Sequence, residues 1–403
     1  MPSSLTKILL PYRPADVPLP AAVTEGDHHS LFVVLAAVPD PRDPRGRRYP
    51  LVSMLAVAVC AVLAGACTFA AITDWVRDQD RTVWGRLGFT DRVPAATTVW
   101  RLLIRIDADV LSQVLARWLR ARAAPVVMAG RRWRLVVAVD GKVERGARLA
   151  DGRQVHLLSA YDTSTGIVLA QVQIAAKSNE IPAFTPLLRL VAAQLGSLKD
   201  VLVVADALHA QTGHAELLAA AGGHLMVAVK GNQPTLFAQL KALPWTQVPV
   251  GDQTRDTGHG RKETRTVKAI TIKTPGGLGF PHAQQAVRIT RTRTIKGRTT
   301  RETAYMTVSL PAEQAQPADL GTWARSEWHI ENRVHYIRDV TLREDAHQAR
   351  TGNGPAVFAT LRNTSIGYHR TNGATNIAEA TRRANHRPHD LIDAVTRSNP
   401  TTQ

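Results

Sequence analysis

The stretch Leu135-Val-Val-Ala-Val-Asp140 is a run of small and β-branched apolar residues that ends in an acid. Such a run predicts a buried strand with Asp140 at its carboxyl end. Val201-Leu-Val-Val-Ala-Asp206 repeats the pattern further along the chain. The sequence therefore offers two aspartates, each directly following an apolar strand.

The segments around these two runs alternate between strand and helix patterns. Strands are predicted at residues 133–140, 154–161, 167–174, 201–206 and 225–229, and helices at 179–194 and 210–221. The order β-β-β-α-β-α-β is that of the ribonuclease H-like fold, an α/β fold. In that fold acids lie on the first strand, just after the fourth strand, and on a late helix.

A late helix with a suitable acid is predicted at residues 328–339, Trp-His-Ile-Glu-Asn-Arg-Val-His-Tyr-Ile-Arg-Asp. Glu331, His335 and Asp339 are spaced four apart, so they lie on one stripe of that helix. Its apolar side is predicted to consist of Trp328, Val334, Ile337 and Val340. Glu331 is therefore the candidate for the third acid.

Three carboxylates placed in this way suit phosphoryl transfer. Hard cations such as Mg²⁺ prefer carboxylate oxygens to His or Cys ligands. Two such ions, about 3.5–4 Å apart, can activate a nucleophile and stabilise a leaving oxygen. We expect Asp140, Asp206 and Glu331 to be the catalytic, metal-binding residues of an enzyme that cuts and joins DNA.

Other acids near these segments have simpler interpretations. Asp162 lies in a predicted hairpin turn, where aspartate is common for reasons of turn geometry. Asp339, Glu344 and Asp345 are expected to form ion pairs with nearby arginines, Arg338, Arg343 and Arg350.

The net charge favours a polyanionic partner. Lys and Arg number 50 against 33 Asp and Glu, which gives a formal net charge of +17. Nucleic acid is the first candidate partner and an acidic membrane the second. Cys60 and Cys67 predict buried thiols in a reducing, cytoplasmic setting, and the first residues show no signal-peptide pattern.

Residues 51–73 contain no charge and are long enough to span a bilayer. Small residues dilute the hydrophobicity of this segment, however, and no other part of the chain has a membranous composition. We therefore predict two buried helices broken near Gly65, and no membrane partner.

The first third of the chain is predicted to be helical. Residues 1–26 are Pro-rich and expected to form an irregular arm, and residues 27–125 an all-helical domain. Within it, a short helix, a turn containing Gly88 and a helix bearing Arg101 outline a helix-turn-helix. We interpret residues 27–125 as DNA-binding, while an ordinary helical hairpin remains the alternative.

Residues 131–370 are assigned to the ribonuclease H-like catalytic domain. At about residues 245–310 the pattern becomes Thr-rich and basic, which predicts a small β-rich insertion whose cations can track a phosphate backbone. Residues 371–403 are predicted to be a polar, basic tail with the character of a flexible extension. The candidate DNA contacts are Arg101, Lys142, Lys177, Asn179, Lys230, Asn232, Arg261, Asn332, His335 and Arg338.

Several motifs, in this order, resemble those of DDE transposases of bacterial insertion sequences, in the branch that includes the H-repeat-associated proteins. The resemblance runs from about residue 30 to residue 370. The matching segments are Asp140-Gly-Lys, Lys177-Ser-Asn-Glu-Ile181, Asp206-Ala-Leu-His-Ala-Gln211, Val229-Lys-Gly-Asn-Gln-Pro234, His259-Gly-Arg261 and Trp328-His-Ile-Glu-Asn332.

The resemblance implies Mg²⁺ or Mn²⁺ as cofactor and Asp140, Asp206 and Glu331 as the metal-binding triad. It also implies double-stranded DNA, both element terminal repeats and target, as the partner of a homodimer in a synaptic complex, in the bacterial cytoplasm at the nucleoid. The chain departs from the branch at Glu327, where His is usual, at Glu144, where Leu is common, and at Arg338, where an apolar residue is usual.

Three other functions remain compatible with the residues. A degenerate or domesticated copy would bind DNA without transposing it. A nuclease of the same fold would cut DNA without joining ends. A membrane-anchored basic protein would use residues 51–73 as its anchor.

Overall fold

A nine-stranded mixed sheet runs through the protein, in a computed structural model that describes residues 30–123, 134–149, 152–175, 178–258, 260–273, 277–326 and 330–397. The strand order is β3-β2-β1-β4-β5-β9-β8-β7-β6. The strands are β1 Val136–Arg148, β2 Gln154–Asp162, β3 Val168–Gln173, β4 Leu202–Ala205, β5 His224–Val229, β6 Asp252–Gly258, β7 Arg261–Thr271, β8 Gln285–Ile295 and β9 Arg298–Val308.

The first five strands bring the two aspartate-terminated runs together. β1 pairs antiparallel with β2, and β2 with β3, whereas β1, β4 and β5 are parallel. In the parallel pair, Val139 lies opposite Ala205. Asp140 and Asp206 are the next residues on the two strands, so both lie at one edge of the sheet.

The predicted β-rich insertion is present, but it is continuous with the main sheet. β9 pairs antiparallel with β5, and β8, β7 and β6 follow in turn. The strand β6 was not predicted, because its residues Asp-Gln-Thr-Arg-Asp-Thr-Gly include no apolar residue to give a strand pattern.

The predicted helices of residues 27–125 are present wherever that region is described. They are α1 Leu31–Leu35, α2 Leu51–Leu63, α3 Phe69–Arg77, α4 Arg81–Arg86, α5 Ala96–Leu103 and α6 Ala108–Arg122. In α2 every residue from Ser53 to Leu63 is buried, and Gly65 ends the run with a φ of 102°. None of the described helices combines the length and apolar character needed to cross a membrane.

Helices cover both faces of the sheet. α7 Glu180–Leu195, α8 Thr212–Ala220 and α9 Pro234–Ala242 lie on one face. On the other face lie α10 Pro317–Ala324 and a helix at residues 330–341, which we name the Glu331 helix. Its two stretches Glu331–His335 and Ile337–Thr341 are π-helical, whereas the sequence predicted an ordinary helix. α11, Gly354–Thr371, packs against the Glu331 helix and also against α2 and α6.

The prediction that residues 371–403 form a flexible tail is wrong for those that the structure describes. These form α12 Ile377–His386 and α13 Pro388–Thr396. Leu391, Ile392 and Val395 of α13 are buried in the same core as α2. The polar composition concealed these few apolar residues, which recur at helical spacing on one face.

Candidate active site

Asp140 and Glu331 converge at the carboxyl edge of the parallel strands. β1 supplies Asp140, and the Glu331 helix packs against the same face of β1, where Ile330 and Val334 share a small core with Ala138. Among the described residues, Asp140, Glu331 and His335 offer ligand atoms that all lie within 4.8 Å of one another. Two of the three predicted acids therefore meet, together with a histidine from the next turn of the Glu331 helix.

His335 connects the two carboxylates. Its Nδ1 lies 3.0 Å from Glu331 Oε2 and 3.6 Å from Asp140 Oδ2. Because ionised carboxylates only accept hydrogen bonds, Nδ1 must carry the proton. Burial lowers the pKa of His335, which favours the neutral ring, and the hydrogen bond from His335 lowers the pKa of Glu331. The sequence predicts that His335 contacts DNA, but only 2% of the residue is exposed, and it contacts the two acids instead.

Asp206 lies beside this group without joining it. Its Oδ1 accepts a hydrogen bond of 2.9 Å from the backbone of Leu208 and so caps the short 3₁₀ turn Ala207–His209. Adjacent strands are about 4.8 Å apart, so the backbone of Asp206 neighbours that of Asp140. The described ligand-atom group nevertheless does not include Asp206.

The two carboxylates of this group suit a hard divalent cation. Carboxylate oxygens are the preferred ligands of Mg²⁺ and Mn²⁺. The side chain of Glu331 is 67% exposed and that of Asp140 is 28% exposed, so both are open to an ion and to a substrate. These residues, with Asp206 on the neighbouring strand, could hold the cations.

The phosphate contact predicted for Lys142 is corrected by the structure. The side chain is only 8% exposed, and its Nζ lies 2.6 Å from Asp339 Oδ1. Lys142 points from β1 to the same face as Asp140, where the Glu331 helix covers it. The ion pairing predicted for Asp339 is thus present, but with Lys142 as the partner.

Arg338 also departs from its predicted contact with a DNA phosphate. It is 0% exposed, and its Nη2 lies 2.8 Å from both Glu144 Oε1 and Glu344 Oε2. Arg362 Nη1 lies 3.2 Å from the same oxygen of Glu344. The Glu331 helix is open to solvent at Glu331, but at Arg338 it is covered by β1 and α11. Two departures from the family pattern, Glu144 and Arg338, are therefore partners in one buried ion pair.

The remaining predicted DNA contacts differ in their surroundings. Asn179 caps α7 by accepting from Ile181 N at 3.1 Å, and Asn232 donates to Ala207 O at 2.6 Å, so both support local structure. Arg261 lies on β7, on the same side as Glu263. Lys230, Asn332 and Arg101 are exposed, whereas Lys177, His259 and Glu327 lie outside the described residues.

A second polar cluster, missed from the sequence, lies on the opposite side of the sheet from Glu331. Glu180 Oε1 is 3.2 Å from His156 Nε2, and Glu180 Oε2 is 3.4 Å from His209 Nε2. Although burial opposes it, contact with the two histidines lowers the pKa of Glu180 to about 2. Gly141 has no room for a Cβ, because Glu180 Oε1 occupies that space. The sequence places Glu180 in a family motif at the start of a predicted helix, but it gives no sign of the two histidines that Glu180 contacts.

The acids for which the sequence predicts a structural role, Asp162, Glu344 and Asp345, lie largely as predicted. Asp162 accepts hydrogen bonds from the Ser164 and Thr165 hydroxyls, each at 2.6 Å, and so holds its hairpin turn. Glu344 pairs with Arg338, and Asp345 lies 3.6 Å from Arg145.

The chain is similar in sequence to known families and proteins. The family described as "Transposase DDE domain" matches residues 131–366, and the one described as "DDE_Tnp_1-associated" matches residues 32–119. "Putative transposase YncI" of Escherichia coli O157:H7 is 27% identical over 354 residues, which are 84% of this chain and 86% of that protein. "H repeat-associated putative transposase YhhI" of Escherichia coli K12 is 27% identical over 353 residues, 83% of this chain and 89% of its own.

A solved structure of a piggyBac transposase synaptic complex with hairpin DNA covers 94% of this chain and 84% of its own, with 11% identity and a TM-score of 0.40. With a TM-score this low, the similarity supports no conclusion about this chain. The family matches and the two bacterial relatives agree with each other and with the motifs of the sequence. The chain belongs to the DDE transposases, in the branch of the H-repeat-associated proteins.

Proposed function

We propose that this transposase cleaves the ends of its element and joins the 3′-hydroxyl ends to target DNA by two-metal-ion phosphoryl transfer. The observation that carries the proposal is the meeting of Asp140 and Glu331 at one sheet edge, with Asp206 on the adjoining strand. These acids come from positions far apart in the chain, and only the fold brings them together.

The catalytic region, residues 131–370, is proposed to be ribonuclease H-like. The order β3-β2-β1-β4-β5, with β1, β4 and β5 parallel, supports this assignment. So do the positions of the acids, on the first strand, directly after the fourth strand, and on a late helix. The strands β6–β9 are then an insertion between the fourth-strand acid and the Glu331 helix.

Asp140, Asp206 and Glu331 would hold two Mg²⁺ or Mn²⁺ ions. When bound, such ions activate the attacking oxygen and stabilise the leaving oxygen. His335 donates from Nδ1 to Glu331 at 3.0 Å, which orients the Glu331 carboxylate, and the same nitrogen lies 3.6 Å from Asp140 Oδ2. The ion pair between Lys142 and Asp339 links β1 to the Glu331 helix, so the two elements that carry Asp140 and Glu331 are held in a fixed relative position.

The proposed partner is double-stranded DNA, with residues 27–125 contributing to binding through α4, the turn at Gly88 and α5. Arg101 on α5 is exposed and is available to a phosphate. Two element ends must be held at once for joining, so a homodimer in a synaptic complex is proposed, acting on the nucleoid in the bacterial cytoplasm.

Cleavage of labelled duplex DNA that carries the element's own end, with Mg²⁺ present, tests the proposal. Wild-type protein should nick specifically at the end. Glu331→Gln should reduce the rate at least about 100-fold, because stabilisation of several kcal/mol by the metal site is lost. DNA binding by the variant should be unchanged. Glu379→Gln, the same substitution at an exposed glutamate of α12, is the matched control.

The outcomes separate the alternatives. Equal cleavage by Glu331→Gln would remove Glu331 from the site and direct attention to Glu327. Binding without cleavage in both Mg²⁺ and Mn²⁺ would identify a degenerate, DNA-binding relative. Cleavage without joining of 3′ ends to target DNA would identify a nuclease.

A further inference from the structure

The four antiparallel strands β6–β9 extend beyond the edge that carries the catalytic acids. The pairing of β9 with β5 ends where Val229 lies opposite Tyr305. The preceding part of β9, from residue 298, continues past that point, as do the strands paired with it. At about 3.4 Å per residue, this part of the sheet projects by roughly 20 Å.

Side chains of successive residues alternate between the two faces of this projecting sheet. We name one of them the threonine face. It comprises odd-numbered residues 253–257 of β6, even-numbered residues 262–268 of β7, even-numbered residues 288–294 of β8 and odd-numbered residues 299–305 of β9. The register places Arg255, Thr264, Thr292 and Arg301 in one row across the four strands.

The threonine face carries no acid among its strand residues. Arg255, Lys262 and Arg301 are exposed cations on it, and most of the other positions are threonines. The contact between Thr294 Oγ1 and Thr299 Oγ1, at 2.9 Å, is consistent with side chains from neighbouring strands lying on this one face. At the end nearest the core, Arg288 lies over the ring of Trp245 and Lys268 donates to Trp245 O.

All four acids of β6–β9 lie on the opposite face. They are Asp252, Asp256, Glu263 and Glu302. Glu263 Oε2 lies 2.7 Å from Arg291 Nη2 and also pairs, through Oε1, with Arg265. The arginines of that face are therefore partly neutralised by acids beside them, whereas the cations of the threonine face share it with uncharged side chains, mostly threonines.

A strand's preference for threonine explains the threonines but not the distribution of the acids. Threonine is favoured on exposed strands wherever they lie. A merely solvated face would carry acids and bases together, as the opposite face does. A sheet face that presents cations and hydroxyl donors without acids is complementary to phosphodiester oxygens, which accept hydrogen bonds from Lys, Arg and Thr.

The threonine face is separate from the catalytic acids. Val267, Val287 and Met306, on the opposite face, share a core with Val136 and Val204, which lie on the same side of the sheet as Asp140 and Asp206. The threonine face continues the other side of the sheet, which α9 covers near Trp245. A duplex lying on it would be a different segment from the one at the catalytic acids.

We propose that the threonine face binds the backbone of a second segment of duplex DNA, without sequence preference. This inference rests on the proposed transposase function and adds a second DNA-binding surface to it. The cations Arg255, Lys262 and Arg301 would contact phosphates, and the threonine hydroxyls between them would donate to phosphate oxygens.

The test compares two pairs of substitutions that each remove two positive charges from the projecting strands β7–β9. Lys262→Gln with Arg301→Gln changes the threonine face, and Arg293→Gln with Arg298→Gln changes the opposite face. Binding of a duplex that lacks element ends is measured by fluorescence anisotropy over a series of salt concentrations, without divalent metal. An unchanged thermal midpoint would show that each variant folds.

The proposal predicts that the threonine-face variant binds roughly tenfold more weakly and that its salt slope falls by about 2, since two phosphate contacts are lost. The matched variant should keep the wild-type slope. Equal loss in both variants would reduce the effect to net charge, and no loss in the threonine-face variant would overturn the proposal. Because no cleavage is measured, the result is independent of whether Glu331 is catalytic.

Discussion

Arg338 is a charged side chain in a wholly buried position. Its guanidinium is held by Glu144 on β1 and by Glu344 just beyond the Glu331 helix. Such a group cannot be removed singly without leaving a buried carboxylate uncompensated. Removing Arg338 and Glu144 together keeps the charges balanced, because Glu344 retains Arg362.

We therefore predict that Arg338→Leu lowers the free energy of unfolding by about 3–5 kcal/mol, and that adding Glu144→Leu restores most of the loss. Urea denaturation of the three proteins measures this. Arg383→Leu, which breaks an exposed ion pair with Glu379, is the control and should cost less than about 1 kcal/mol. A double variant no more stable than Arg338→Leu would refute the pairing.

At the scale of elements, the position of the Glu331 helix depends on a close approach between β1 and the segment that follows the helix. A Cβ at Gly146 of β1 would lie 2.5 Å from His347 O, 2.8 Å from Asp345 O and 2.9 Å from Glu344 O. Backbone atoms cannot yield as a flexible side chain does, so the segment would have to shift and take the helix with it.

Gly146→Ala is expected to destabilise the protein by about 1–3 kcal/mol and to slow end cleavage more than it weakens DNA binding. Thermal unfolding and single-turnover cleavage provide the measurements. Gly258→Ala, in β6, is a suitable control because nothing lies within 4 Å of the added methyl group. If both variants behaved alike, the close approach at Gly146 would have no bearing on the site.

Elements with a periodic apolar pattern could be predicted from the sequence, and polar or charged buried ones could not. The strands that end at Asp140 and Asp206 were predicted because both are apolar runs between turns. β1, however, continues through Lys142 and Glu144, which resemble surface residues and are buried only because the Glu331 helix supplies their partners. The same limit explains why the roles expected of Lys142 and Arg338 toward DNA were wrong.

The C-terminal helices α12 and α13 pack against the N-terminal helices. α13 contacts α1 and α4, and Asp393 pairs with Arg86 of α4. Thr381 of α12 packs against Gly65, where a Cβ would lie 2.8 Å from Thr381 Cγ2. The helices α12 and α13 are therefore part of the helical core that begins with α1 and α2.

Because α13 packs in this core, truncating a single apolar side chain of α13 should destabilise the protein. Ile392 is 0% exposed, so Ile392→Ala should lower the free energy of unfolding by about 2–5 kcal/mol. Arg382→Ala, on the exposed side of α12, should change it by less than about 0.5 kcal/mol. Chemical denaturation distinguishes them, and an Ile392→Ala protein as stable as wild type would mean that α13 is not part of the core.

Asp206 is the decisive residue of the proposed metal site of Asp140, Asp206 and Glu331, because its carboxylate caps a turn instead of joining the other two. The direct measurement is Mn²⁺ binding by electron paramagnetic resonance with element-end DNA present, comparing wild type with Asp206→Asn and with Asp91→Asn at an exposed site. We predict that Asp206→Asn weakens Mn²⁺ binding at least about tenfold and that Asp91→Asn does not. If Asp206→Asn bound Mn²⁺ as tightly as wild type, Asp206 would not be a metal ligand, and Asp140, Glu331 and His335 would remain as the metal site.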